Sequence, residues 1–139
     1  MKVLVLNGPN LNMLGKRPKE HYGSLTLDEI NDLIKKEAPF DFDFFQSNGE
    51  GEIVTKIQEA VLKAYDAIII NPAAYTHTSV AIHDALEMFE GPILEVHLSK
   101  VDEREDFRKV NFIRSVATKT FSGKKEESYL DAVRYLKNK

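Results

Sequence analysis

Short apolar runs alternate with segments of helical periodicity along the whole chain. The runs at 2–7, 40–46, 67–71, 92–98 and 115–121 predict strands. Lys2-Val3-Leu4-Val5-Leu6 stops abruptly at Asn7-Gly8-Pro9-Asn10-Leu11-Asn12, a turn-forming stretch that ends the first strand. Phe40-Asp41-Phe42-Asp43-Phe44-Phe45 alternates apolar and acidic positions, which predicts a half-exposed strand at a sheet edge. Ala67-Ile68-Ile69-Ile70 is apolar throughout and β-branched, so it is expected at the centre, covered on both faces. Between the strands, Thr26-Leu27-Asp28-Glu29 reads as a capping box with Leu25 and Ile30 as its hydrophobic staple. Leu27, Ile30 and Ile34 then share one face. Ile53, Ile57, Ala60, Val61 and Ala64 recur at helical spacing. So do Ile82, Ala85, Leu86 and Phe89, and Tyr129, Leu130, Val133 and Leu136. These stripes predict core rather than binding surface.

Strand and helix alternating in this way predict an α/β fold with a parallel sheet and helices on both faces. Five strands in a chain of this size imply the flavodoxin-like order 2-1-3-4-5. A single domain over residues 1–139 is expected, since no repeat, linker or low-complexity segment interrupts the pattern.

Composition narrows the function classes. With 42% hydrophobic residues in 139, one domain can bury a real core. Nineteen basic residues against 22 acidic ones, net charge −3, argue against a general nucleic-acid binder. No cysteine is present, which excludes disulfides, thiol nucleophiles and thiolate metal sites. The four histidines form no HExxH pair. No apolar run approaches the ~20 residues of a membrane span, and no signal peptide is read at the N-terminus. The cytoplasm is the expected location. The lysines near the C-terminus, Lys124, Lys125, Lys137 and Lys139, read as solvated surface.

In an open α/β sheet the carboxyl ends of the strands form the ligand crevice. Strand 1 delivers Asn7 to Asn12 there, strand 3 delivers Asn71 to Ser79, and strand 4 delivers Glu95 to Ser99. Glu95 and His97 stand two apart on a strand and share a face. A carboxylate beside an imidazole fixes its tautomer and suits it to acid–base work. Thr76 to Ser79 opens the third helix, where free N–H groups and hydroxyls suit an anion or hydroxylated ligand, or simply cap the helix. His77 and Asp84 are about two helical turns apart. His83 falls on another face and is expected to be solvated. Arg104 and Arg108 stand at i,i+4 just after the crevice, so that one of them is a candidate ligand clamp. The polar stretch Leu14 to Gly23, with its Arg17 and Tyr22, has the make-up of a functional loop.

Taken in order, these fragments resemble the type II 3-dehydroquinate dehydratases. The resemblance rests on Asn7-Gly8-Pro9-Asn10-Leu11-Asn12-x-Leu14-Gly15, on Arg17 and Tyr22-Gly23, and on Asn71-Pro72-x-Ala74-Tyr75-Thr76-His77-Thr78-Ser79-Val80-Ala81 with Asp84-Ala85-Leu86. It continues in Glu95-Val96-His97-Leu98-Ser99 and Arg104-Glu105-x-Phe107-Arg108, and spans most of residues 3–117. It implies a flavodoxin-like hydro-lyase of the shikimate pathway, which eliminates water in trans from 3-dehydroquinate through an enolate. It implies neither metal nor cofactor. By the same resemblance Tyr22 is the base, His97 the acid oriented by Glu95, and Arg17 the cation beside Tyr22 on a lid. Asn10 holds a water on the enolate oxygen. Asn71 and the backbone of Leu98 and Ser99 bind the carboxylate. His77 and Arg108 bind ring hydroxyls, as does Asp84 reaching in from a neighbouring subunit of a homododecamer built of trimers. A free tyrosine has a pKa near ~10, so a tyrosine base needs about 3–4 kcal/mol of preferential anion stabilisation. One arginine in a closed, dry site is of that order, so the lid must close, with Gly15 and Gly23 as candidate hinges.

The chain departs from the family pattern at Pro18-Lys19, usually Glu-Pro, at Ala73, often Gly, at Lys100, usually Asn, and in the shortened glycine stretch at Ser122-Gly123. A catalytically silent small-molecule binding module is the rival expectation. A serine hydrolase is disfavoured because the G-x-S-x-G elbow is absent. A phosphate loop is disfavoured because Gly8 stands alone.

Overall fold

The computed structural model describes all 139 residues. Five parallel strands form one sheet: β1 (Lys2–Asn7), β2 (Asp41–Gln46), β3 (Ala67–Asn71), β4 (Ile93–His97) and β5 (Lys119–Ser122). Their order is β2-β1-β3-β4-β5, the flavodoxin-like arrangement expected from the alternation. β1 pairs with β2 and β3, with Leu6 opposite Phe45 on one side and Ile70 on the other. β3 is buried at every position, as its unbroken apolar run requires, and β2 is partly exposed at an edge.

Alternation in β1 divides the core. Val3 and Val5 face one layer, with Ile30 and Ile34 of α2 (Leu27–Glu37) and Tyr129, Val133 and Leu136 of α5 (Glu126–Lys137). Leu4 and Leu6 face the other, with Ile53, Ile57 and Ala60 of α3 (Glu50–Leu62) and Ile82, Ala85 and Leu86 of α4 (Val80–Glu87). The capping box of α2 is complete. Thr26 Oγ1 accepts from the Glu29 N–H at 3.2 Å, and Glu29 Oε1 accepts from the Thr26 N–H at 3.0 Å. Leu25 and Ile30 pack in the same cluster, as a staple would. Arg134 Nη2 donates to Glu37 Oε1 at 2.8 Å and ties α5 to α2. Lys124 and Lys137 pair with Asp131 and Glu37, so the lysine-rich end is exposed but not wholly free.

Two expectations need correction. The last strand begins at Lys119, not at residue 115, because Arg114–Val116 forms a 3-10 turn. Asn111 Oδ1 accepts from the N–H groups of Ile113 and Arg114 and winds the chain there. Ala64 does not extend the apolar stripe of its helix: α3 ends at Leu62, and Ala64 is exposed with φ 56°.

The carboxyl ends of β1, β3 and β4 lie side by side. The Gly8 N–H donates to the Asn71 carbonyl at 2.8 Å. A side-chain carbon on Gly8 would lie 2.4 Å from the Pro72 carbonyl oxygen, so glycine lets the two strand-end loops touch. No helix is long and apolar enough to cross a membrane.

Candidate active site

The strand-end loops enclose a crevice lined by Asn10, Asn71, His77, His97, Leu98 and Ser99. Arg17, Tyr22, Arg104 and Arg108 complete its wall. Glu95 lies beneath it, fully buried.

Strand alternation puts Glu95 and His97 on one face, as their spacing predicts. Nε2 of His97 lies 2.6 Å from Oε2 of Glu95. Asn111 Nδ2 donates to the same oxygen at 2.7 Å, and Thr120 Oγ1 donates to Oε1 at 2.8 Å. Burial by itself raises the Glu95 pKa. The hydrogen bonds and charge of His97, with those of Asn111 and Thr120, outweigh burial and hold the carboxyl below its usual range. Glu95 is therefore a carboxylate, Nε2 of His97 carries a proton, and Nδ1 is the nitrogen left for a ligand.

The segment bearing Arg17 and Tyr22 is folded over the crevice. Tyr22 ends α1 (Lys19–Tyr22), and its ring is buried in the first core cluster. The Pro18 carbonyl accepts from the N–H groups of His21 and Tyr22, so Pro18-Lys19 starts this turn rather than disrupting it. Gly15 and Gly23, the candidate hinges, both have positive φ, 97° and 79°. The Arg17 guanidinium lies 3.6 Å from the Tyr22 ring centroid. Burial lowers the Arg17 pKa and the nearby Arg104 and Arg108 cations push the same way, against the pull of Tyr22; Arg17 stays a cation. Arg104 Nη1 donates to the Tyr22 phenolic oxygen at 2.7 Å and to Ser99 Oγ at 3.3 Å.

The other expected residues fall as follows. Asn10 lines the crevice in a left-handed conformation, φ 71°. Asn71 donates from Nδ2 to the Tyr129 hydroxyl at 3.0 Å and accepts at Oδ1 from the Ala73 N–H at 3.1 Å. Its side chain is locked, with one N–H to spare. That bond also holds Ala73, φ 55°, in a conformation where glycine would be easier. Nδ1 of His77 lies 2.6 Å from the Val110 carbonyl and donates to it, leaving Nε2 as an acceptor. Burial lowers the His77 pKa more than that bond raises it, so the ring is neutral. Leu98, Ser99 and Arg108 line the crevice.

Asp84 does not. It is exposed on α4 and lies outside the crevice of its own chain, 2.9 Å from Nδ1 of His83. His83 is half-buried and also near Glu87 rather than freely solvated. Ser79 caps α4, accepting from the Ile82 N–H at 2.9 Å, so its hydroxyl belongs to the helix and not to a ligand. Thr76 is buried inside the preceding turn.

Sequence reasoning missed Asn111 and Thr120, and named Arg104 only as one of two candidate clamps. The i,i+4 spacing had marked both arginines equally and could not tell which one meets Tyr22. Thr120 is found only by the register that sets it opposite Glu95. Asn111 lies in a loop with no periodic signal.

The family model for dehydroquinase class II matches residues 1–137. A 3-dehydroquinate dehydratase of Fusobacterium nucleatum is 49% identical over 98% of this chain and 96% of its own length. One from Clostridium perfringens is 48% identical over 100% and 99%. Among solved structures, a type II dehydroquinase from Butyrivibrio crossotus superposes with TM-score 0.94 at 42% identity, covering 99% of this chain and 97% of that one. A type II dehydroquinase from Propionibacterium acnes superposes equally well at 33% identity, with the same coverage.

Proposed function

The chain belongs to the class II dehydroquinase family, and from that membership we propose how its crevice performs the family's reaction. It dehydrates 3-dehydroquinate to 3-dehydroshikimate as a hydro-lyase of the shikimate pathway. The observation that carries the assignment of roles is the pairing, in one crevice, of a phenol under two guanidiniums with an imidazole backed by a buried carboxylate.

Tyr22, as phenolate, takes the proton from C2. Arg17 over its ring and Arg104 on its oxygen favour that anion. The C2 electrons move into the neighbouring carbonyl and form the enolate, and Asn10 holds a water against its oxygen. His97, as imidazolium, gives its Nδ1 proton to the C1 hydroxyl, which leaves as water while the enolate collapses to the enone. Glu95 keeps Nε2 protonated throughout, so the imidazolium is charge-balanced before the step and correctly tautomeric after it. Turnover resets when a proton passes from Tyr22 to His97 through solvent. The spare Asn71 N–H and the Leu98–Ser99 backbone hold the substrate carboxylate. Nε2 of His77 accepts from a ring hydroxyl, and Arg108 binds another.

Asp84 completes the crevice of a neighbouring copy in a dodecamer of trimers. Its exclusion from its own crevice supports this, as do Phe107, Val110 and Phe112, apolar side chains exposed in the segment bearing Arg108. The cytoplasm is the site of action. A silent binding module is disfavoured, since the relatives are named as dehydratases.

The test is the ultraviolet absorbance of the conjugated product on adding 3-dehydroquinate, with and without a chelator. Turnover that survives the chelator and vanishes in Tyr22→Phe is expected. Retained turnover in Tyr22→Phe would remove Tyr22 from the role of base.

A further inference from the structure

Asn48 lies in the turn after β2, exposed on the rim of the crevice and not part of its lining. None of the roles above uses it, yet its polar groups meet two of the loops that bear the site, those after β1 and β3. Its Oδ1 accepts from the backbone N–H of Asn10 at 3.0 Å and from Gln46 Nε2 at 3.3 Å. Its carbonyl accepts from the Tyr75 hydroxyl at 2.7 Å. Gln46 Nε2 also lies 3.1 Å from the Gly8 carbonyl and 3.4 Å from Asn12 Oδ1. The last residue of the edge strand thus braces Asn48 and the Asn10 turn together.

Asn10 needs that brace. It precedes the 3-10 turn Leu11–Met13 at φ 71°, ψ −4°, and no side chain caps that turn. Asparagine tolerates the left-handed region better than most residues but does not prefer it. Its amide faces out of the turn, and Asn48 supplies the acceptor. We infer that Asn48, steadied by Gln46, is a positioning residue for the dehydration: it holds Asn10 in the left-handed conformation that keeps it in the crevice wall, and through Tyr75 it ties that wall to the segment carrying His77. The inference rests on the role given to Asn10 above. A water aimed at the enolate oxygen acts when charge develops there, so loosening its holder lowers kcat more than it raises KM. Because Asn48 is exposed, water replaces its hydrogen bonds in a variant and the fold loses little.

The experiment compares Asn48→Ala, Asn48→Asp and Asn10→Ala by steady-state kinetics, thermal melting and hydrogen exchange at the Asn10 amide. In Asn48→Ala, kcat falls about tenfold to hundredfold, KM moves less than about threefold and the Asn10 amide exchanges faster. Asn48→Asp keeps an acceptor for both donors and recovers most of kcat, which a merely structural role would not produce. An unchanged kcat in Asn48→Ala, an equal loss in the Asp and Ala variants, or an Asn10 amide still protected in Asn48→Ala overturns the inference. Full turnover in Asn10→Ala instead strikes the role given to Asn10, and the exchange measurement still decides whether Asn48 holds that turn.

Discussion

The Tyr22 side chain meets two guanidiniums in different ways. The Arg17 guanidinium lies 3.6 Å from the ring centroid, and Arg104 donates straight to the oxygen. A charge-assisted hydrogen bond on the reacting atom gains most as that atom becomes an anion. Arg104→Ala is therefore expected to lower kcat by about a hundredfold or more, with an unchanged circular dichroism spectrum; near-normal turnover would assign the anion's stabilisation to Arg17 alone. The carboxylate behind His97 gives a second test. Burial opposes the Glu95 charge, but its three hydrogen-bond donors prevail, so its folded pKa lies below the ordinary 4.5. On acidification the unfolded chain takes up that proton before the native state does. The Glu95 contribution to stability is thus full above the ordinary carboxyl range and is lost as pH falls through the depressed folded value. Glu95→Gln is expected to flatten the acid limb of a plot of melting temperature against pH, and to lower kcat because an amide cannot balance the imidazolium. An acid limb as steep as the parent's would show that other carboxyls carry it.

The elements differ in how far local sequence determines them. α2 starts where Thr26 and Glu29 cap each other, and β3 is central because its run from Ala67 to Ile70 is apolar throughout. Both were legible from the sequence, as was the Glu95–His97 pair, since spacing on a strand decides which side chains share a face. Ala64 and the start of β5 were not. Ala64 fits the helical period, but its backbone has already turned left-handed, and Asn111 winds the chain before β5 by hydrogen bonds that no periodicity reports. The partners of Glu95 were hidden for a related reason: register and loop closure bring Thr120 and Asn111 to it from 25 and 16 residues away. The entry to α5 retains a strain visible only in the backbone. Lys125 sits at φ 54°, ψ −133°, a region that suits glycine, where the chain has a shortened glycine stretch. Lys125→Gly should relieve about 1 kcal/mol and raise the melting temperature by about 2–4 °C. A lower melting temperature would mean that the packing of the Lys125 stem beside Gly23 outweighs the strain.

A single chain presents a crevice with three arginines on its wall and no carboxylate but the buried Glu95, while Asp84 stands exposed elsewhere. An anionic substrate explains the arginines. The site shared between copies proposed above would explain Asp84, and it makes a prediction no single-chain site could meet. Tyr22→Phe removes the proposed base from a crevice and leaves its Asp84 intact; Asp84→Ala does the reverse. Each variant alone is expected to be nearly inactive. Unfolded together in equal amounts and refolded, they would form mixed rings in which some crevices with Tyr22 receive Asp84 from a Tyr22→Phe neighbour. If each crevice draws Asp84 from one adjacent copy and the chains mix at random, about one quarter of the crevices are whole. Activity should therefore return to about one quarter of that of the parent refolded in the same way. Refolding the variants separately and then mixing them intact should restore nothing while the rings stay closed. Failure of the co-refolded mixture to gain activity, with mixed rings demonstrated by mass, would place Asp84 outside the chemistry and leave each crevice complete within its own chain.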